Sequence, residues 1–111
     1  ETETIGDVAF SGKVIQGLNP KELRGLVDQA KQQLGSGVSA MVAVNDGRAT
    51  VAVGVTDDLT ERLSAVDLVQ VGVAAVGGKG GGGRPDMAQG GGPDGAKADD
   101  AIAAIRSVLA G

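Results

Sequence analysis

Apolar positions along the chain follow two periods. At Leu23, Leu26, Val27, Ala30 and Leu34 they return every three or four residues, the spacing that lines one face of an α-helix. The preceding residues supply a start. Asn19 stands as N-cap, Pro20 at the first helical position and Glu22 three residues after the cap, while Leu18 and Leu23 are placed for a hydrophobic staple. Gly35 supplies the stop, so the pattern predicts a helix over Pro20–Leu34. The spacing recurs at Ala98, Ile102, Ile105 and Leu109, predicting a terminal helix over Ala96–Leu109 with Asp99 and Asp100 near its positive end. Between them, Ser64–Val76 puts Val69, Val73 and Val76 on one face. Ser64 and Asp67 are spaced there as a capping pair, and Gly77-Gly78 ends the run.

Elsewhere the pattern is that of strands. Val38–Val44 and Arg48–Val55 are runs of valine and alanine separated by Asn45-Asp46-Gly47, a hairpin turn signal. Both runs are nearly apolar on both faces, which places the hairpin inside a sheet covered over much of each side. Asp7–Gly17 carries Val8, Phe10, Val14 and Ile15 and reads as a strand, with Gly12 as the place for a bend. The order is strand, helix, hairpin, helix, Gly-rich loop, helix, without internal repeat. It predicts an α/β fold: a compact layered domain, its central sheet holding the hairpin at Val38–Val55, covered by about three helices. A length of 111 residues suits one core and not two.

Composition narrows the chemistry. With a single aromatic, Phe10, the core must be built from Val, Ala, Leu and Ile. There is no cysteine and no histidine, which removes disulfides, thiolate zinc sites, the cysteine nucleophile and the commonest general base. Net charge is −4, the opposite sign to most stand-alone nucleic-acid binders. Any such binding must come from a few locally placed cations. No apolar run reaches the length of a membrane span, no membrane partner is expected, and the ETETIGD start is no signal peptide.

The stretch GGKGGGGRPDMAQGGG, Gly77–Gly92, is glycine at nine of its sixteen positions. A P-loop needs GxxxxGK[ST], and no Lys-Ser or Lys-Thr follows these glycines. A dinucleotide fingerprint needs a strand before the glycines, where a helix is predicted instead. Two readings remain. One is a flexible linker. The other is a backbone anion cradle, in which glycine N–H groups bind phosphate oxygens with no side chain in the way. In the cradle, Arg84 adds a planar fork and Lys79 a mobile point charge. Asp86 and Asp94 balance those two cations within Gly77–Gly95, so geometry and not local charge would have to hold an anion. Pro85 stiffens the insert, and Met87 and Ala88 are placed to tuck into the core. For Arg84, phosphate contact and structural pairing with Asp86 or a helix C-terminus both stay open.

Together with the NPKELRGLVDQAKQQLGSG helix, the valine-rich hairpin and the VGVTDDLT segment, this stretch resembles the globular C-terminal domain of bacterial-type alanyl-tRNA synthetases over nearly the whole chain. The resemblance implies that residues 1–111 are a single C-terminal domain cut from a longer synthetase, with the Gly-rich loop at 77–95. Members of that family activate alanine with ATP, transfer it to tRNA and hydrolyse mischarged seryl- and glycyl-tRNA at a zinc-containing editing site. Those motifs lie upstream, so ATP, magnesium and zinc are expected there, with no cofactor, metal ligand or catalytic residue in this chain. The C-terminal domain in that family contacts the outer corner of tRNA, couples aminoacylation to editing and in some members self-associates. Implied partners are alanine tRNA, the upstream catalytic and editing domains of the same chain, and a homodimer mate; the implied location is cytoplasmic. A related form of the domain is appended to DHH-family phosphoesterases, where a histidine after the glycines helps hold substrate. Here Arg84 stands in that place, which favours the synthetase branch and leaves a phosphoesterase substrate-binding domain as an alternative.

The residues selected for RNA or anion binding are therefore Lys79, Gly80, Gly81, Gly82, Gly83, Arg84 and Gln89. Lys21, Arg24 and Lys31, with Asp28 among them, form the polar side of the first helix and read first as a solvated face, with RNA contact as the minority reading. Asp57-Asp58 and Asp99-Asp100 read as a turn and a helix start, not as metal ligands. Two function classes remain: an RNA-binding module of a synthetase, and an oligomerisation or structural module of the same enzyme. The acidic isoelectric point, near 4.6, favours the second, and the loop chemistry the first.

Overall fold

The computed structural model describes residues 2–111. Strand β1 (Thr2–Ile5) turns back into β2 (Val8–Gln16), which leads to a 3-10 turn at Pro20–Glu22 and helix α1 (Leu23–Leu34). The predicted helix over Pro20–Leu34 opens as the 3-10 turn: the Asn19 side chain caps that turn by accepting from the Lys21 N–H at 3.0 Å, Glu22 makes no side-chain cap bond, and Leu18 packs into the cluster that holds Leu23. Gly35 closes the helix at φ 72°. Strands β3 (Val38–Asn45) and β4 (Arg48–Val55) follow as a hairpin whose two turn residues, Asp46 and Gly47, both have positive φ (52° and 76°). That is the backbone an Asp-Gly turn supplies with least strain. Helix α2 (Ala65–Ala75) is capped by Ser64, which accepts from the Val66 N–H at 3.2 Å. Strands β5 (Gly82–Arg84) and β6 (Met87–Gly92) come next, then a 3-10 turn at Gly95–Lys97 and helix α3 (Ala98–Ala110).

The six strands lie in the order β1-β2-β3-β4-β6-β5. Among the described residues only β2 and β3 run parallel, joined by the α1 crossover; every other neighbouring pair is antiparallel. Alternation along each strand sends side chains to two faces. On one face, Met41, Ala43, Ala52 and Met87 pack under Leu23 and Val27 of α1. On the other, Phe10, Val42, Val51, Val53 and Ala88 pack under Val69 and Val73 of α2 and Ile102 and Ile105 of α3. Each large side chain fully buried this way contributes roughly 1.5–3 kcal/mol of transfer free energy. The layered α/β fold, with the valine-rich hairpin central and three helices covering it, is as the pattern predicts. Met87 and Ala88 do enter the core, one on each face.

Three expectations need correction. A further strand, β1, precedes those the pattern predicts; its four mostly exposed residues, TETI, show no buried face of their own. Gly12 does not bend β2: pairing to β3 runs unbroken from Phe10 to Gln16. Its bareness instead admits α3, since a Cβ there would lie 2.7 Å from Ile102 Cγ2. The stretch 77–95 is not one irregular loop. Gly82–Arg84 and Met87–Gly92 are strands, and β6 is an interior one, paired to β4 from Gly54↔Met87 to Ala49↔Gly92.

The link from α1 to β3 is tied down by a small polar network. Ser36 and Thr56 both donate to the Asp58 carboxylate, and Thr56 Oγ1 accepts from the Gly37 N–H at 2.9 Å. Those two side-chain hydrogen bonds, Ser36 first, hold the Asp58 carboxyl below the usual carboxylate range. The forked hydrogen bond from Arg62, and then its charge, does the same for Asp7. A carboxyl whose folded pKa is depressed contributes stability above its unfolded value, about 3.9. That stability is lost as pH falls through the lower folded value. The melting temperature is therefore expected to drop as pH is lowered below about 4, and Asp58→Asn to flatten part of that drop. A pH profile identical in the variant would assign the acid sensitivity elsewhere.

Candidate nucleic-acid interface

The turn between β5 and β6, Arg84-Pro85-Asp86-Met87, is held from three sides. The Ala65 N–H at the start of α2 donates to the Pro85 carbonyl at 2.8 Å, and the Val55 N–H at the end of β4 donates to the Asp86 carbonyl at 3.0 Å. Lys31 of α1 reaches the same Asp86 carbonyl with Nζ at 3.0 Å. A linker has no such anchors. The flexible-linker reading is overturned by these bonds and by the pairing of β6 inside the sheet.

Most of the glycines have an internal reason. A Cβ on Gly90 would stand 2.7 Å from Val73 Cγ2 and 2.8 Å from Gly81 Cα, so the incoming segment crosses β6 at backbone contact beneath α2. Gly83 has φ 150°, and a Cβ on it would collide with the Met87 carbonyl oxygen. Gly80 and Gly81 also have positive φ. Gly82 differs from the other three in the 80–83 run: its φ is ordinary and a Cβ on it would meet nothing within 4 Å. The packing of this chain does not require a glycine there.

Gly82 and Gly83 border a cleft of about 430 Å³ that is also lined by Met87 and Ala88 of β6, by Arg84 and Gln89, and by Arg24 of α1. Of the selected residues, Gly82, Gly83, Arg84 and Gln89 thus come together. Lys79 and Gly80 are exposed outside it, and Gly81 lies toward α2, where its carbonyl accepts from Gln70 Nε2 at 3.4 Å. Both roles left open for Arg84 have a geometric basis. Its Nε lies 3.4 Å from Asp86 Oδ1, yet the side chain is 69 % exposed, so the fork still meets solvent at the cleft.

Arg24 is the residue that sequence reasoning underweighted. The three cations of that polar face separate: Lys21 is exposed in the 3-10 turn, Lys31 of α1 is drawn in to Asp86, and Arg24 of α1 reaches the cleft. Among the described residues Arg24 has no ion-pair partner. No local signal links position 24 to positions 82–89. Their meeting depends on β6 inserting beside β4, under the edge of α1. The two acid pairs are at a turn and a helix start, Asp57 and Asp58 in a 3-10 turn and Asp99 and Asp100 in the first turn of α3. No helix of the described residues is long and apolar enough to cross a membrane.

Chemically, the cleft offers two guanidinium groups for phosphate oxygens, an amide that donates and accepts, an apolar lining, and a strand edge without side chains at Gly82 and Gly83. Its lining residues include no imidazole, thiol or carboxylate.

Comparison with known proteins bears on what such a cleft serves. The sequence profile of the DHHA1 domain matches residues 7–111. The alanine–tRNA ligase of Sphingopyxis alaskensis is 67% identical over 108 residues, covering 97% of this chain and 12% of the ligase. That of Rhizorhabdus wittichii is 68% identical over 108 residues with the same coverage, and that of Rhizobium meliloti 60% over 108 residues, 96% of this chain and 12% of the ligase. The chain thus spans about 12% of the length of these relatives. Among solved structures, the C-Ala domain from Aquifex aeolicus alanyl-tRNA synthetase is similar at a TM-score of 0.92 and 28% identity, covering 100% of this chain and 99% of that one.

Proposed function

The chain belongs to the DHHA1 domain family, and from that premise we propose that it is the tRNA-handling domain of an alanyl-tRNA synthetase. The observation that carries the reading is the convergence of Arg24 and Arg84 on a cleft edged by Gly82 and Gly83. A phosphate entering it meets two guanidinium forks and no side chain along the strand edge. Gln89 is placed to hydrogen-bond a ribose hydroxyl or a base edge, which suits recognition of folded RNA by shape and backbone contacts. The net charge of −4 keeps binding local, at the point where the cleft brings Arg24 and Arg84 together. Near-full-length similarity to the C-Ala domain supports the assignment of domain. The parent enzyme then attaches alanine to its tRNA with ATP in the cytoplasm, and this domain engages the outer corner of that tRNA and couples aminoacylation to editing. ATP, magnesium and zinc belong to the upstream domains, which are its partners in the same chain.

Salt dependence tests the reading. In the full-length protein, Arg84→Ala is expected to reduce the slope of log affinity for alanine tRNA against log salt by about one unit, the loss of one phosphate contact. Gly82→Val is expected to weaken binding at every salt concentration by blocking approach to the strand edge, with the fold intact. An unchanged slope and affinity in both variants, with self-association in sedimentation, would transfer the function to an oligomerisation module.

A further inference from the structure

We propose that Lys31 is a positioning residue for this cleft, acting through Asp86 to keep the Arg84 guanidinium exchangeable. The proposal rests on the RNA-handling reading above. The Asp86 carboxylate is shared: Oδ1 lies 3.4 Å from Arg84 Nε, and Oδ2 lies 3.9 Å from Lys31 Nζ. The two cations sit in different surroundings. Lys31 has a side-chain exposure of 13 % and is also hydrogen-bonded to the Asp86 carbonyl, whereas Arg84 is 69 % exposed. The Lys31 contact is the less screened of the two, and the Arg84 contact the one that solvent and ions weaken.

A phosphate arriving at Arg84 competes with Asp86 for the guanidinium. If Arg84 were the only countercharge, its departure would leave a bare carboxylate facing the incoming anion. Lys31 prevents that by holding the other oxygen. The need is sharpened by a second cleft, about 490 Å³, that shares Asp86: there Asp28, Asp57 and Asp58 join it and Lys31 is the cation in the lining. The Asp86 backbone is fixed by the Val55 N–H at 3.0 Å, so the residue does not travel outward with Arg84, and the Lys31 ammonium on Oδ2 opposes rotation of the carboxylate. Arg84 thus exchanges Asp86 for phosphate while Asp86 stays in place, compensated from behind.

Affinity for alanine tRNA, measured on the full-length protein at one salt concentration with melting followed for each variant, tests this. Lys31→Met keeps the aliphatic stem and removes the charge. It is expected to weaken binding by about three- to fivefold, the range of a partly screened ion pair, and Lys31→Arg to restore most of the loss. Asp86→Asn is expected to tighten binding, and Lys31→Met added to Asp86→Asn to change affinity no further. Equal weakening by Lys31→Met in both backgrounds would overturn the proposal, showing Lys31 to act directly on RNA or through the fold. A silent Lys31→Met would overturn it as well. Arg84→Ala separates the two levels. If that variant loses affinity while Lys31→Met stays additive or silent, only the positioning role fails. If Arg84→Ala is silent in folded protein, the RNA-handling reading fails with it.

Discussion

Gly83→Val is expected to cost the domain about 2–6 kcal/mol, while Gly82→Val, one residue away, leaves stability within about 0.5 kcal/mol. Two effects add at Gly83. Its φ of 150° is a region that side-chain-bearing residues adopt only under strain, about 1–3 kcal/mol. Its Cβ would also be driven into the Met87 carbonyl and the Ala88 backbone, inside a paired strand that cannot shift without breaking its ladder. Overpacking of that kind typically costs a further 1–3 kcal/mol, roughly. Against a total stability of about 5–15 kcal/mol, the variant should melt at least about 10 °C lower. Gly82 has neither constraint, and valine suits an edge strand. Thermal melts of the two variants side by side decide the matter. Equal losses would mean that the β5–β6 hairpin is not held as described.

The second large effect concerns affinity. Arg24→Ala and Arg84→Ala are each expected to weaken alanine tRNA binding by about 1–3 kcal/mol, the range for a hydrogen bond to a charged group. Melting should barely move. Arg84 is mostly exposed, and its pair with Asp86 is worth about 0–1 kcal/mol. Arg24 has no ion pair among the described residues to lose. Arg84→Lys should recover only part of the loss, since an ammonium does not present the planar fork. The double variant reports how the cleft is used. Two arginines on one phosphate give a combined loss smaller than the sum, and two arginines on separate phosphates give additive losses. Affinity lost only in proportion to unfolding would instead mark the arginines as structural.

The sequence by itself determined the elements whose physics is local. Asn19, Pro20 and the Leu23–Leu34 stripe specify a helix start and a buried face within a few turns of chain, and Asp46-Gly47 supplies the positive φ that a tight hairpin needs. The apolar runs around that turn require cover on both faces, which places them centrally whatever the rest of the chain does. The Arg-Pro-Asp-Met insert likewise drew attention to Arg84 and Gln89, two of the residues that line the cleft.

What the glycines do was decided by tertiary structure alone. Glycine has low intrinsic strand preference and no side chain to show an alternating pattern, so Gly82–Gly83 and Gly90–Gly92 look like loop in one dimension. Gly90–Gly92 become strand because α2 and β4 leave a slot that bare backbone fills: Gly90 lies against Val73 and the Gly81 backbone, and β6 completes the ladder of β4, with Gly82 and Gly83 pairing on to β6 in turn. That insertion also carries Gln89 and Arg84 under the edge of α1, where Arg24 completes the cleft and Lys31 takes Asp86. Residues some sixty positions apart meet there through sheet order, a long-range pairing that hydrophobic periodicity does not encode.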